Sequence, residues 1–213
     1  MHIEGVIRNR LGMLALAISG LLYSVTLLLR GPLVVDPIAN PSAFTQAVTA
    51  TNYVAWALGS AVANIFHLLG VLGLYAYLSA SPVARPPFWA LILNIIHDTL
   101  FPLFLGFSLF LPAIGKLYLQ GQTSKAAPLS APILSTLTLG GVLFLVGAIL
   151  YSVAIWRSGR LSKWTAIPFA LAPPLLVFGP SVSFIAEFMG AVLLAVSGLA
   201  LTADVWRHED KKG

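Results

Sequence analysis

Between Leu11 and Trp206 the chain is a succession of long apolar runs, separated by short segments that carry its glycines, prolines and basic residues. Six of these runs, at about 11–29, 53–80, 88–111, 131–156, 164–178 and 184–206, approach or exceed the roughly 20 residues an α-helix needs to cross a bilayer. In hydrocarbon every backbone N–H and C=O must be satisfied within its own segment, so runs of this kind fold as helices. The sequence therefore predicts an all-α polytopic membrane protein, a single bundle of six transmembrane helices spanning residues 1–213.

Composition agrees with this reading. Hydrophobic residues make up 58% of the 213 and charged residues 9%, against about 25% charged in a soluble domain. A soluble fold could not cover so apolar a chain with polar surface, so the first partner is the lipid bilayer. The net charge of +5 does not point to nucleic acid, because the lysines and arginines sit between apolar runs. With no cysteine, disulfides, thiolate metal sites and iron–sulfur clusters are excluded.

The distribution of charge gives an orientation. Six spans put Arg8, Arg10, Arg85, Arg157, Arg160, Lys163, Arg207, Lys211 and Lys212 on one side, with Arg30, Lys116 and Lys125 opposite. Basic loops stay on the cytoplasmic side, which places both termini there. Trp56, Trp89, Trp156, Trp164 and Trp206 all fall close to predicted span ends, where an interfacial aromatic belt puts them. Residues 1–10 and the run after them lack the short core and small-residue cleavage site of a signal peptide, so the first run reads as a retained span. Asn40-Pro41 reads as the start of a short interfacial helix. Residues 81–87, with three prolines, read as a tight turn, and 113–130 as a polar loop. The fifth span is expected to be short and interrupted by Pro168, Pro173 and Pro174.

Two stretches, Arg10-Leu11-Gly12-Met13-Leu14-Ala15-Leu16-Ala17 and Ala154-Ile155-Trp156-Arg157-Ser158-Gly159-Arg160-Leu161-Ser162-Lys163-Trp164, resemble those of small six-span bacterial membrane proteins of unknown function. The resemblance implies the same topology and a bacterial plasma (inner) membrane, multi-pass. It implies no activity, cofactor or catalytic residue.

Ionisable groups within spans cost roughly 2.5–3.5 kcal/mol each to insert, so each needs a partner or a purpose. They concentrate in the second and third spans, where Asn64-Ile65-Phe66-His67 and Asn94-Ile95-Ile96-His97 repeat one pattern and Asp98 follows. Counted from the turn near 83–84 at about 1.5 Å per residue, His67, His97 and Asp98 lie within roughly 5 Å of one another in depth. Pro102 cannot donate to the carbonyl of Asp98, which leaves an acceptor for a ligand, a water or another side chain. Glu187, near the start of the sixth span, is the other candidate; the plain reading is an interfacial carboxylate that reaches water.

Several roles fit Asn64, His67, Asn94, His97, Asp98 and Glu187. The plainest is helix–helix hydrogen bonding, such as His67 to Asp98. A second is axial ligation of haem b by His67 and His97, with Gly59, Ala63 and Gly70 making room for the ring. A non-haem metal is less apt, because adjacent His97 and Asp98 point about 100° apart on a helix. A third is proton chemistry: desolvation disfavours the Asp98 carboxylate and a protonated His67 favours it, so the pair could hold or pass a proton for a carrier or an acid–base enzyme acting on a lipid-soluble substrate. Prolines of the fifth span could open a cavity beside Glu187, as interrupted transporter helices do. The leading expectation is a small inner-membrane protein with a His/Asn/Asp site between the second and third spans. That site binds a ligand or cofactor, or serves an accessory subunit of a larger membrane complex or homo-oligomer. No nucleotide loop, serine–histidine–acid order or HExxH is present.

Overall fold

A computed structural model describes residues 2–32, 36–81 and 85–210, and among them there are eight helices and no strand. In chain order they are α1 (His2–Arg30), α2 (Pro41–Thr49), α3 (Thr51–Ser79), α4 (Arg85–Ser108), α5 (Leu111–Leu119), α6 (Thr123–Ser158), α7 (Lys163–Val182) and α8 (Phe184–Asp210). Of the expected turn at 81–87, residues 85–87 already belong to α4, and of the charged C-terminal stretch, 207–210 belong to α8; residues 82–84 and 211–213 lie outside the described residues.

The six long helices close into a ring. Packing runs α1 to α3, α3 to α4, α4 to α6, α6 to α7, α7 to α8 and α8 back to α1, and α3 also touches α6 across the middle. Small residues set the tightest approaches. A Cβ on Gly12 would lie 2.6 Å from the Cα of Gly73, so α1 and α3 cross backbone to backbone. Gly20 meets Ala195 and Gly198 meets Ala17 in the same way between α1 and α8.

Two apolar cores fill the ring at different depths. One gathers Met13, Leu74, Tyr151, Ile155, Phe169 and Leu201 toward the end that carries the N-terminus of α1 and the C-terminus of α8. The other gathers Leu27, Phe44, Val48, Tyr53, Trp56 and Leu105 toward the opposite end. The short helices α2 and α5 pack together at that second end, where Thr45 Oγ1 donates to the Gly115 carbonyl at 2.8 Å.

Helix ends follow the local chemistry. Asn40 caps α2, its side chain accepting from Ala43 N–H at 3.2 Å with Pro41 in the first turn, as the sequence predicts. Gly159 ends α6 with φ 64°, a left-handed conformation that costs glycine nothing. Ser162 then caps α7, accepting from Trp164 N–H at 3.3 Å.

Two expectations are corrected. The segment 113–130 is not a polar loop: α5 occupies its first part and α6 begins at Thr123, running through Pro128 and Pro132. Ile114, Tyr118, Ala126 and Ile133 form a shared apolar cluster there, and this packing outweighs the Gly, Ser and Gln punctuation. Nor is the fifth span short and broken. Helix α7 continues through Pro168, Pro173, Pro174 and Pro180 to Val182. Its far end packs closely on α8, with Gly179 against the backbone of Glu187.

Five helical segments, Asn9–Arg30, Thr51–Ser79, Thr123–Ser158, Lys163–Val182 and Phe184–Arg207, are long and apolar enough to cross a membrane. Among the described residues α4 is not one of these five.

Candidate functional site

The two arms α3 and α4 bring their polar residues to one depth, between the two apolar cores. His67 Nδ1 donates to Asp98 Oδ1 at 2.8 Å, and both residues are buried. One turn earlier on α3, Asn64 Nδ2 donates to the backbone carbonyl of Asp98 at 2.9 Å. In an unbroken helix that carbonyl would accept from residue 102, but Pro102 has no N–H. Asn64 therefore fills the vacancy that the proline creates. Its own carbonyl oxygen accepts, at 3.4 Å, from the hydroxyl of Tyr23 on α1.

His97 approaches from the same turn of α4. Its Nδ1 donates to the Gly140 carbonyl of α6 at 3.0 Å, which leaves Nε2 toward the carboxylate, 3.9 Å from Asp98 Oδ1. Phe144 of α6 stacks on the His97 ring at 4.6 Å between centroids and 9° between planes, and presents its edge to His67 at 5.3 Å. The two imidazoles lie perpendicular, 6.1 Å apart. Two atoms in this enclosure are buried without a hydrogen-bond partner: His67 Nε2 and Asp98 Oδ2.

Of the six residues singled out in the sequence, four thus come together: Asn64, His67, His97 and Asp98. Asn94 is buried too, but its Nδ2 turns back to the Ala90 carbonyl of its own helix at 2.7 Å, against Gly147 of α6. Glu187 belongs elsewhere. It is not a water-facing carboxylate: it is 6% exposed and ion-paired with Arg30, whose guanidinium lies 5.0 Å from the Trp56 ring. The C-terminus of α1, the N-terminal part of α3 and the first turn of α8 are tied together at that point.

Tyr23, Gly140 and Phe144 were not legible as site residues. Tyr23 was visible only as a lone phenol deep in the first run, and Gly140 as half of a Gly-Gly pair in the fourth. Neither sequence feature says which helix it will face.

The enclosure does not fit haem. Axial ligands must face an iron from opposite sides of a flat ring, whereas here Asp98 Oδ1 lies 2.8 and 3.9 Å from a nitrogen of each imidazole. The small residues expected to make room are also occupied, Gly59 by Thr26 and Gly70 by Leu16 of α1. Among the described residues no three histidine, aspartate or glutamate side chains are grouped to hold a metal ion.

What the arrangement offers chemically is one unpartnered imidazole nitrogen and one unpartnered carboxylate oxygen in the same enclosure. Asp98 accepts from His67 Nδ1 and so fixes the ring, which leaves Nε2 as the nitrogen open to a further partner, the arrangement of a histidine–aspartate dyad. Five apolar helices of spanning length in one chain suggest a multi-pass membrane protein. Comparison with protein-family patterns, curated sequences and solved structures finds no match, so neither the resemblance noted above nor any activity gains support there.

Proposed function

We propose that this chain is a six-span protein of a bacterial inner membrane, with both termini cytoplasmic and His67 Nε2 as a proton-exchanging atom for a small lipid-soluble ligand. The ligand carries an O–H or N–H and meets Nε2 and Asp98 Oδ2 between α3, α4 and α6. The observation that carries this reading is the pair of buried unpartnered atoms on a dyad whose other contacts are complete. Buried polar groups normally find partners, and an orphan donor or acceptor costs about 1–3 kcal/mol. Two of them on one dyad support a site kept for a ligand over one that only joins helices.

Placement of α4 in the ring, between α3 and α6, supports counting it as the sixth span. The side chains that link the helix ends support the orientation. Arg10 lies over Trp206 at 5.5 Å, Lys163 over Trp156 at 5.7 Å, and Ser162 N–H donates to Asp204 at 2.8 Å, so the basic α6–α7 turn meets the C-terminal end of α8. The chain has no cysteine, so single-cysteine variants report topology directly. Arg160→Cys should be labelled only from the cytoplasmic side and Lys125→Cys only from the other.

For the site, the protein is extracted in mild detergent and its bound small molecules are identified by mass spectrometry, for wild type and Asp98→Asn. A compound retained by wild type and lost from a folded Asp98→Asn protein supports the reading. An identical set of compounds in both overturns it. The same preparation shows whether the chain travels with a stoichiometric partner, as an accessory subunit would.

A further inference from the structure

A groove of about 510 Å³ runs between α6 and α7, away from the His67 site. Its floor is made of small side chains, Ser152, Ala166 and Ala170, and its walls of Ile149, Ile167 and Leu171. The single hydroxyl of the floor is already spent, since Ser152 Oγ donates to the Ala148 carbonyl at 2.8 Å. Nothing polar therefore asks for water inside it. Trp156 and Arg157 close one end, and there the chain turns through Arg160 to Lys163, whose ammonium lies over the Trp156 ring. The carboxylate in this neighbourhood, Asp204, accepts from the backbone N–H of Ser162.

We infer that this groove is a binding site for an anionic phospholipid. One acyl chain lies in the slot and the phosphate sits among Arg157, Arg160 and Lys163. Both walls belong to helices of membrane-spanning length, so the slot faces hydrocarbon. From Ile149 to Arg157 it extends about 12 Å along α6, from the hydrocarbon to its boundary. Its polar end carries Arg157 and, over the Trp156 ring, Lys163, with Arg160 in the turn that joins them, the combination that holds a headgroup at the interface. A zwitterionic lipid fills the slot equally well but returns no net charge to that cluster. Charge at the mouth therefore selects, while the slot anchors.

The test uses the full-length protein in detergent, washed and then exposed to mixed micelles of phosphatidylglycerol and phosphatidylcholine, with bound lipid counted by native mass spectrometry. Wild type should keep one phosphatidylglycerol in preference to phosphatidylcholine. Each of Arg157→Gln and Lys163→Gln should cut that preference by about fivefold, and the pair by more than tenfold. Ala170→Phe, which fills the floor and leaves every charge in place, should abolish retention of both lipids. Should that variant fail to fold, Ile167→Trp obstructs the slot from a wall side chain that is 41% exposed. Equal retention of the two lipids by wild type overturns the inference. So does unchanged retention in the filled variants, or capture of a polypeptide in place of lipid.

Discussion

Among the described residues two buried constellations of ionisable side chains stand out, and they are built on opposite plans. At one end Glu187 meets Arg30, a cation that never gives up its proton, and the guanidinium also rests against Trp56. Opposite charges offset each other there, and Arg30 brings no second protonation state of its own. In the middle, Asp98 meets His67, a partner that exists in two states, and Oδ2 and Nε2 are left over. The first plan ties helices together. The second also ties helices together and, under the proposed function, keeps one proton negotiable. Burial alone does not separate them, since Glu187 is 6% exposed and Asp98 4%; the chemistry of the partner does.

The largest effect should come from breaking the closed pair. Arg30→Met leaves the Glu187 carboxylate buried and unpaired, at an expected loss of about 3–5 kcal/mol in unfolding measured in detergent. Adding Glu187→Met should recover most of that loss, because the pair sits among apolar neighbours and two methionines fill similar volume. If the double variant stays as unstable as the single one, the pair is more than a tie and the contrast with the central site fails.

At the central site the corresponding cut should be gentler. Asp98→Ala strips His67 of its orienting acceptor and should destabilise by about 2 kcal/mol, the cost of a buried donor left without a partner. Asp98→Asn keeps an acceptor for Nδ1 and should cost well under that. It should nevertheless change the nitrogen NMR signals of His67, because Nδ1–H then donates to an amide oxygen instead of a carboxylate. An Asp98→Asn protein whose His67 signals stay where they are in wild type would show that the dyad is only glue.

How much of this was legible in the chain depends on how far apart the partners are. The apolar runs predicted five helices whose spanning length the structure shows, and rise per residue placed His67 and Asp98 at one depth because a short turn joins their arms. Arg30 and Glu187 are separated by 157 residues, and no local pattern in either span names the other. The same limit hid Phe144 and Gly140, which reach the site from α6 only once the ring has closed. Prolines misled in the other direction. In α7 four of them lie inside one helix, because proline's fixed φ is compatible with helical backbone and the lost donors are tolerated where neighbouring helices pack. At Pro102 the sequence identified a carbonyl that would need a partner, and the structure supplies Asn64.

That last contact gives a direct test of cause. Asn64→Ala should cost about 1 kcal/mol, the loss of one buried hydrogen bond between spans. In a Pro102→Ala background the new backbone N–H can reach the Asp98 carbonyl, so removing Asn64 should then cost little. The difference between the two measurements is the coupling energy of a double-mutant cycle and should be of order 0.5–1 kcal/mol. Equal costs in both backgrounds would mean that Asn64 answers to something other than the proline. The smallest effect belongs to Tyr23→Phe. Its hydroxyl touches Asn64 at 3.4 Å, long for an O–H donor, and its ring keeps an edge contact with Phe101 at 6.0 Å either way. Its removal should change stability by less than about 0.5 kcal/mol. The resonances of His67 should stay in place, because Tyr23 reaches the carboxylate only through Asn64 and the backbone.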